Sequence, residues 1–170
     1  MKHQYRFFCQ LVAGLFVFTM LNGCVTNQSG VPDKKRTVLE LYFTATEAVD
    51  FLKKEGNKSL FIDVRTPAEV ADGMPAMADA NVPLLINIRN QVANKNFVAD
   101  IEARLKGKGL DNQSPIVLIC SHGNRSAFAT NKLAKAGYKK VYHVVDGVLG
   151  WKKNDLPWTV EINKEKMARL

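Results

Sequence analysis

Cysteine is scarce in this chain. Its 170 residues include three cysteines, and they occur in unrelated contexts. Cys9 lies in an apolar N-terminal stretch, Cys24 ends that stretch, and Cys120 lies in a turn that contains glycine. No pair of them has the spacing of a disulfide framework or of a metal site, so the sequence predicts neither scaffold. With 46% hydrophobic residues, the chain has enough apolar material for one ordinary core without such cross-links.

Clusters of positive charge are also missing, although the formal net charge is +8. The basic residues are scattered, and the longest run is Lys34-Lys35-Arg36. Aromatic residues do not interleave with arginines as they do in single-strand binders, so we predict no nucleic-acid partner. The mild positive excess favours small anions or an anionic membrane surface.

No apolar run is long enough for a comfortable membrane span. Residues 7–21 are mostly apolar and follow Lys2 and Arg6, which is typical of a secretory leader. The leader ends in Leu21-Asn22-Gly23-Cys24, which resembles a bacterial lipobox. The resemblance implies that residues 1–23 are a lipoprotein signal peptide and that Cys24 carries the lipid. Residues 24–37 are then the lipidated cysteine and a polar, flexible tether.

Two other interpretations of the leader remain open, a cleaved secretory signal without lipid and an uncleaved anchor. All three place the following domain outside the cytoplasm, in the cell envelope. The residue after the cysteine is Val25, not the aspartate that retains many such lipoproteins at the inner membrane. We therefore expect a lipid anchor in the outer membrane, with the domain facing the periplasm.

From residue 38 onward, short β-rich runs alternate with helical stretches. Apolar runs at residues 59–64 and 115–119 suit buried parallel strands. The sequence from Thr44 to Glu47 is a capping box, which predicts a helix that ends at Gly56. The alternation predicts an α/β fold with a mostly parallel central sheet of about five strands and helices on both faces. Further strands are predicted at residues 38–43, 82–88 and 141–145, helices at 68–71, 97–105, 126–136 and through Trp151, a loop at 73–83 and a C-terminal tail at 161–170.

The turn after residue 119 carries the strongest chemical signal. It reads Cys120-Ser121-His122-Gly123-Asn124-Arg125-Ser126 and lies between a buried strand and an amphipathic helix. Ligands of open α/β sheets bind beyond the carboxyl ends of the strands. Backbone N–H groups, the positive end of the next helix and Arg125 together suit an anion. A cysteine beside them is favoured as a thiolate, and therefore as a nucleophile.

Cys-x-x-Gly-x-Arg-Ser at a strand–helix turn resembles the active-site loop of single-domain rhodaneses. Asp63-Val64-Arg65-Thr66-Pro67-x-Glu69 is similar to that family's first signature, and Asp146-Gly147-x-x-x-Trp151 with Leu156-Pro157 is similar to its closing one. The resemblance implies a rhodanese-like domain over residues 38–160. It departs from the family at residues 73–83, which are longer than the usual Gly-His-Ile-x-Gly-Ala and lack its histidine.

The resemblance implies a sulfurtransferase. Cys120 would attack the outer sulfur of a small anionic donor such as thiosulfate and hold it as a persulfide, and a thiol or cyanide would accept the sulfur. No metal or organic cofactor is needed, and no protein acceptor is identified. The loop from Cys120 to Arg125 counts six residues, which suits sulfur transfer, whereas related phosphatases and arsenate reductases use one residue more. The substrate-binding residues would be Ser121, His122, Gly123, Asn124, Arg125 and Ser126.

Two other functions remain open at this point: a non-catalytic rhodanese-like binding module, and a periplasmic redox or thiol sensor. The second follows from the vulnerability of a lone thiolate in an oxidising compartment. We expect Asp63, Arg65 and Glu69 to form a structural cluster of ion pairs and hydrogen bonds near the site. His143 has no partner in the sequence, and we expect a half-buried structural histidine.

Overall fold

The computed structural model describes residues 30–167. The predicted signal peptide at residues 1–23 and the predicted lipid site at Cys24 lie outside the described residues. Within residues 30–167, no helix is both long enough and apolar enough to cross a membrane.

Residues 30–167 contain nine short strands and five α-helices. The strands are β1 (Tyr42–Phe43), β2 (Leu60–Asp63), β3 (Met74–Pro75), β4 (Ala80–Asn81), β5 (Leu85–Asn87), β6 (Val92–Ala93), β7 (Ile116–Ile119), β8 (Val141–Val144) and β9 (Trp158–Thr159). The helices are α1 (Ala45–Glu55), α2 (Pro67–Val70), α3 (Phe97–Gly107), α4 (Asn124–Lys135) and α5 (Gly147–Lys153). Three 3-10 turns lie at Asp33–Lys35, Gly56–Lys58 and Lys164–Lys166.

The central sheet has five parallel strands in the order β1-β8-β7-β2-β4. This confirms the predicted α/β fold and the strand count. In the register of β2 and β7, Asp63 lies opposite Ile119, so both strands end at the same level. The chain that leaves β2 therefore runs beside the turn that leaves β7.

Both faces of the sheet are covered by helices, as predicted. Leu60, Ile62, Ile116 and Leu118 pack against α3 and α4 on one face. The alternate residues of the same strands, with Phe61 among them, pack against α1 and α5 on the other. Because β2 and β7 are buried on both faces, their sequences are continuous apolar runs instead of alternating ones.

The capping box predicted at the start of α1 is present. The Thr44 hydroxyl accepts from the Glu47 N–H, and the Glu47 carboxylate accepts from the Thr44 N–H at 2.7 Å. A second capping box, which the sequence analysis did not identify, opens α2 with Thr66 and Glu69 in the same two roles. The Glu69 carboxylate is thereby fixed close to the end of β2.

The structure corrects the predictions for residues 73–88. The predicted loop at 73–83 contains β3, which pairs with β9, and β4, which forms an edge of the central sheet. Of the predicted strand at 82–88, the N–H groups of Val82 and Leu84 donate to Asp63 and Val64 at the end of β2, whereas β5 pairs with β6 in a separate hairpin. A strand of two residues has too few positions to show an alternating sequence pattern. The side-chain amide of Asn81 in β4 donates to the carbonyl oxygens of Asp63 and Arg65, which holds this strand beside the end of β2.

Two predictions near the N-terminal end of the domain also change. The predicted strand at residues 38–43 shortens to β1, because Glu40 takes a left-handed backbone conformation with φ of 51° and interrupts the extended run. Residues 31–37 were predicted to be part of a flexible tether. They instead form the 3-10 turn Asp33–Lys35 and pack against the domain, where Thr37 is buried.

Candidate active site

The loop from Cys120 to Ser126 connects the central strand β7 to α4. Gly123 adopts φ of 92°, which turns the chain into the helix. A Cβ at this position would lie 2.3 Å from the Val145 carbonyl oxygen, so only glycine fits. The helix begins at Asn124, two residues before the predicted start at Ser126. The N–H groups of the first helical turn therefore face the loop itself.

Cys120 lies at the centre of this loop. Its Sγ accepts hydrogen bonds from the N–H groups of Gly123 at 3.2 Å and Ser126 at 3.3 Å. The Ser126 hydroxyl oxygen lies 3.5 Å from the same sulfur. Two backbone N–H donors and the positive end of α4 therefore lie against the sulfur. Only 1% of the Cys120 surface is exposed, so a reagent must enter the loop to reach the sulfur.

Arg125 is held by Glu69 in a two-point ion pair. Both N–O distances are 2.6 Å, and the Ser121 hydroxyl donates to the same carboxylate at 2.7 Å. Partial burial acts to raise the pKa of Glu69, but the hydrogen bonds from Arg125, Ser121 and Thr66 hold that pKa well below its usual range. The same carboxylate raises the pKa of Arg125. The guanidinium is thus committed to fixing the loop on α2.

Asp63 and Arg65 form a separate buried pair. The Arg65 guanidinium donates to both Asp63 oxygens, at 2.7 Å for the shortest contact, and to the Gly73 carbonyl oxygen at 2.8 Å. Burial raises the pKa of Asp63, and Arg65 opposes this rise. Arg65 also donates to the Glu69 carbonyl oxygen at 3.3 Å, so the three residues are connected by hydrogen bonds. The Glu69 carboxylate, in addition, contacts the loop that contains Cys120.

The start of α5 holds the other side of the loop. The N–H groups of Val148 and Leu149 donate to the carbonyl oxygens of Cys120 and Ser121, at 2.9 and 3.2 Å. Gly147 precedes them with φ of 61°, and a Cβ there would lie 2.4 Å from the Cys120 carbonyl oxygen. The Asp146-Gly147 motif therefore contacts the loop backbone directly.

The remaining loop side chains point outward. His122 and Asn124 are exposed. Within residues 30–167, the N–H groups of Asn124 and Arg125 make no hydrogen bond to the backbone or to a side chain. These N–H groups at the start of α4 are available to a bound anion.

The structure corrects the expectation for His143. The side chain is fully buried instead of half-buried, and both ring nitrogens have partners. Nδ1 lies 3.3 Å from the Ser126 hydroxyl oxygen, and Nε2 lies 2.8 Å from the Lys35 carbonyl oxygen. Burial lowers the pKa of His143 from 6.5 to about 4. Local sequence gave no signal for this contact, since Lys35 precedes His143 by 108 positions.

The buried His143 predicts a pH-dependent loss of stability. Because its pKa is lower in the folded state than in the unfolded state, the unfolded chain binds more protons between pH 6.5 and 4. The contribution of the buried, neutral His143 to the free energy of unfolding is complete above pH 6.5. It declines as the pH falls towards 4, by about 3 kcal/mol in total. Chemical denaturation across this range should show a shallower decline in His143→Gln than in the unmodified protein. Equal declines would contradict the assignment.

No group of three or more His, Cys, Asp or Glu side chains within the described residues is placed to hold a metal ion.

A family model described as "Rhodanese-like domain" matches residues 44–154. The chain belongs to this family. Among its relatives, thiosulfate sulfurtransferase 18 of Arabidopsis thaliana is 34% identical over 104 residues, which cover 59% of this chain and 72% of that protein. An uncharacterised protein of Rickettsia rickettsii is 32% identical over 122 residues, covering 67% of this chain and 93% of that protein.

Two solved structures have a similar fold. A crystal structure of a protein from M. tuberculosis is 25% identical with a TM-score of 0.56, covering 71% of this chain and 97% of that chain. The polysulfide-sulfur transferase homodimer from Wolinella succinogenes is 25% identical with a TM-score of 0.51, covering 70% of this chain and 77% of that chain. Together with the family match, this confirms the rhodanese-like fold that the three motifs predicted.

Proposed function

We propose that this rhodanese-like domain transfers sulfane sulfur from a small anionic donor to a thiophilic acceptor through a persulfide on Cys120. The observation that carries the proposal is the position of the Cys120 sulfur. It lies at the carboxyl end of the central strand and the start of α4, with two backbone N–H groups donating to it. Relatives named thiosulfate sulfurtransferases make thiosulfate the first donor to test.

The first half-reaction forms one sulfur–sulfur bond and breaks another. The Cys120 thiolate attacks the outer sulfur of thiosulfate, and the bond between the two sulfurs of thiosulfate breaks with its electron pair leaving on sulfite. The negative charge of the thiolate passes to the terminal sulfur of the new persulfide. The available N–H groups of Asn124 and Arg125 suit that charge or the departing anion.

In the second half-reaction, a thiol or cyanide attacks the terminal sulfur and Cys120 leaves as a thiolate. The two N–H groups that donate to the Cys120 sulfur therefore serve both steps. The thiolate is the nucleophile of the first step and the leaving group of the second. Arg125 contributes by anchoring the loop, since it makes three hydrogen bonds to the side chains of Glu69 and Ser121. No cofactor takes part in this scheme.

The test is the intact mass of the protein before and after incubation with thiosulfate. We expect a gain of one sulfur atom, and no gain in Cys120→Ser, because the hydroxyl of serine cannot hold sulfane sulfur. This measurement isolates the first half-reaction from the unidentified acceptor. A folded protein that gains no sulfur would contradict the proposal for thiosulfate. Reaction with glutathione disulfide in preference to thiosulfate would favour the redox-sensor alternative.

We also propose that the domain is held at the cell envelope by a lipid on Cys24, in the outer membrane and facing the periplasm. The lipobox-like sequence supports this location. Expression in a bacterium supplied with labelled palmitate should label the chain, and Cys24→Ser should remove the label. An unlabelled chain that fractionates with the soluble periplasm would contradict the anchor and favour a cleaved signal without lipid.

A further inference from the structure

Residues 31–37 lie outside the region that matches the family model, residues 44–154. They nevertheless contact residues that pack against the cysteine loop, which is the loop from Cys120 to Ser126. The Lys35 ammonium donates to the Val145 carbonyl oxygen at 2.8 Å. That carbonyl is the one against which Gly123 packs, and the Lys35 side chain lies beside the same glycine. Just beyond the segment, the Val38 N–H donates to the Asn131 side chain on α4 at 2.9 Å. Lys35 and Val38 thus connect this part of the chain to the residue after β8 and to α4.

A chain of polar contacts connects this segment to Cys120. The Lys35 carbonyl oxygen contacts His143 Nε2 at 2.8 Å, His143 Nδ1 contacts the Ser126 hydroxyl at 3.3 Å, and that hydroxyl lies 3.5 Å from Cys120 Sγ. A carbonyl oxygen only accepts, so Nε2 must carry the ring proton. In the neutral ring, Nδ1 is then an acceptor. The Lys35 carbonyl therefore selects the tautomer of His143.

The Ser126 hydroxyl has one proton and three neighbouring acceptors. These are His143 Nδ1, the Gly123 carbonyl oxygen at 3.0 Å, and Cys120 Sγ. Nδ1 is fully buried, and leaving a buried acceptor unpaired is unfavourable. The sulfur is already served by two backbone donors. The proton is thus drawn away from the sulfur.

We propose that Lys35 and His143 are positioning residues for the sulfur-transfer reaction, which withhold the Ser126 hydroxyl proton from the Cys120 thiolate and so keep that thiolate strongly nucleophilic. A thiolate with fewer hydrogen-bond donors is a better nucleophile, although it binds a proton more readily. The inference rests on the proposed function in that Cys120 is taken as the reacting group. It assigns residues 31–37 to the active site.

Two other side chains of the described residues, those of Lys35 and Tyr42, face His143. The Lys35 ammonium approaches from the same 3-10 turn, and the Tyr42 ring on β1 meets the imidazole edge to face at a centroid distance of 5.3 Å. Cys120 is the titratable group at the far end of the chain of contacts. Replacement of His143 therefore changes the partner of Ser126 without removing a charge from the cysteine loop.

The test is the rate of Cys120 alkylation by iodoacetamide in the full-length protein, followed from low to high pH. In His143→Leu, the Ser126 hydroxyl proton loses Nδ1 as an acceptor, and the thiolate then competes for that proton with the Gly123 carbonyl oxygen alone among the three acceptors named above. We expect alkylation about three- to tenfold faster on the low-pH limb, because more thiolate is present, and slower on the high-pH plateau, because that thiolate is less nucleophilic. Opposite changes on the two limbs distinguish this role from general loosening of the fold. Adding Ser126→Ala to His143→Leu should remove the low-pH gain.

Lys35→Leu tests the segment itself, since it removes the bond to Val145 that holds the Lys35 carbonyl in place. Like His143→Leu, it should raise the alkylation rate at low pH and lower the rate on the high-pH plateau. Lys34→Leu is the matched control, because it removes the same charge from an exposed neighbour in the same turn. Lys35 is only half-buried, so this variant remains informative even if His143→Leu does not fold.

The proposal is overturned if Lys35→Leu has the same profile as Lys34→Leu, or if both limbs move in one direction. Persulfide formation with thiosulfate is measured in the same proteins. If the proteins form the persulfide but the variants have the alkylation profile of the unmodified protein, the inference is rejected and the proposed function stands. Absence of the persulfide in the unmodified protein would reject the proposed function instead.

Discussion

Glu69→Ala is expected to lower both stability and sulfur transfer severely. The carboxylate accepts from Arg125, Ser121 and the Thr66 N–H, so its removal breaks the ion pair and the capping box together. It also leaves the Arg125 guanidinium partly buried without its counter-ion. We expect a loss of about 2–4 kcal/mol in the free energy of unfolding, somewhat less than for a fully buried pair. A displacement of the loop by 1 Å would slow persulfide formation by about 100-fold.

The chain provides a matched control in α1. Thr44 and Glu47 form the same capping box as Thr66 and Glu69, but Glu47 is exposed and has no arginine partner among the described residues. Glu47→Ala therefore measures the cap alone, at about 0.5–1 kcal/mol, and should leave the rate of persulfide formation unchanged. If the two variants lost equal stability in chemical denaturation and transferred sulfur equally well, the ion pair would have no anchoring role.

The comparison of Glu69 with Glu47 also shows what local sequence conveys. Both capping boxes are visible in the sequence, since the partners lie three positions apart. The ion pair is not visible, because Glu69 and Arg125 are separated by 56 positions and meet only once β2 and β7 lie side by side. The sequence therefore predicts a cluster of Asp63, Arg65 and Glu69, and the fold adds to it the ion pair between Glu69 and Arg125.

The cysteine loop itself is well predicted because its parts are contiguous. A buried strand, a glycine turn and an amphipathic helix follow one another within about twenty residues, and each has its own local pattern. The supports of the loop come from elsewhere in the chain. The Lys35 carbonyl is a backbone group of a polar segment, and no composition rule distinguishes a docked polar segment from a tether.

The segment at residues 73–83 illustrates the same limit in the sheet. Its strands β3 and β4 have two residues each, and their positions are set by pairing with β9 and β2, not by their own β propensity. Gly73 is required there for a tertiary reason, because a Cβ would lie 2.3 Å from the indole nitrogen of Trp158. Sequence analysis identifies such a glycine as a loop residue, and only the fold shows what it contacts.

Gly147→Ala is expected to displace the cysteine loop. A Cβ on Gly147 would lie 2.4 Å from the Cys120 carbonyl oxygen and 2.6 Å from that of Ser121. Both are backbone atoms already held by the N–H groups of α5, so neither can move without moving the loop. The left-handed φ adds its own penalty, and together these lower the free energy of unfolding by about 2–5 kcal/mol. Persulfide formation should fall by about 100-fold or more, because the sulfur moves with its backbone.

Gly109→Ala separates the two causes. Gly109 has a similar φ of 70°, but no atom lies within 4 Å of the position that its Cβ would occupy. In this variant the free energy of unfolding should therefore fall only by the cost of the left-handed backbone, about 1–2 kcal/mol, and sulfur transfer should be normal. Chemical denaturation of the two variants compares their free energies of unfolding, and intact mass over time compares their rates of persulfide formation. If Gly147→Ala lost no more stability than Gly109→Ala and kept its rate, the start of α5 would not be what holds the cysteine loop in place.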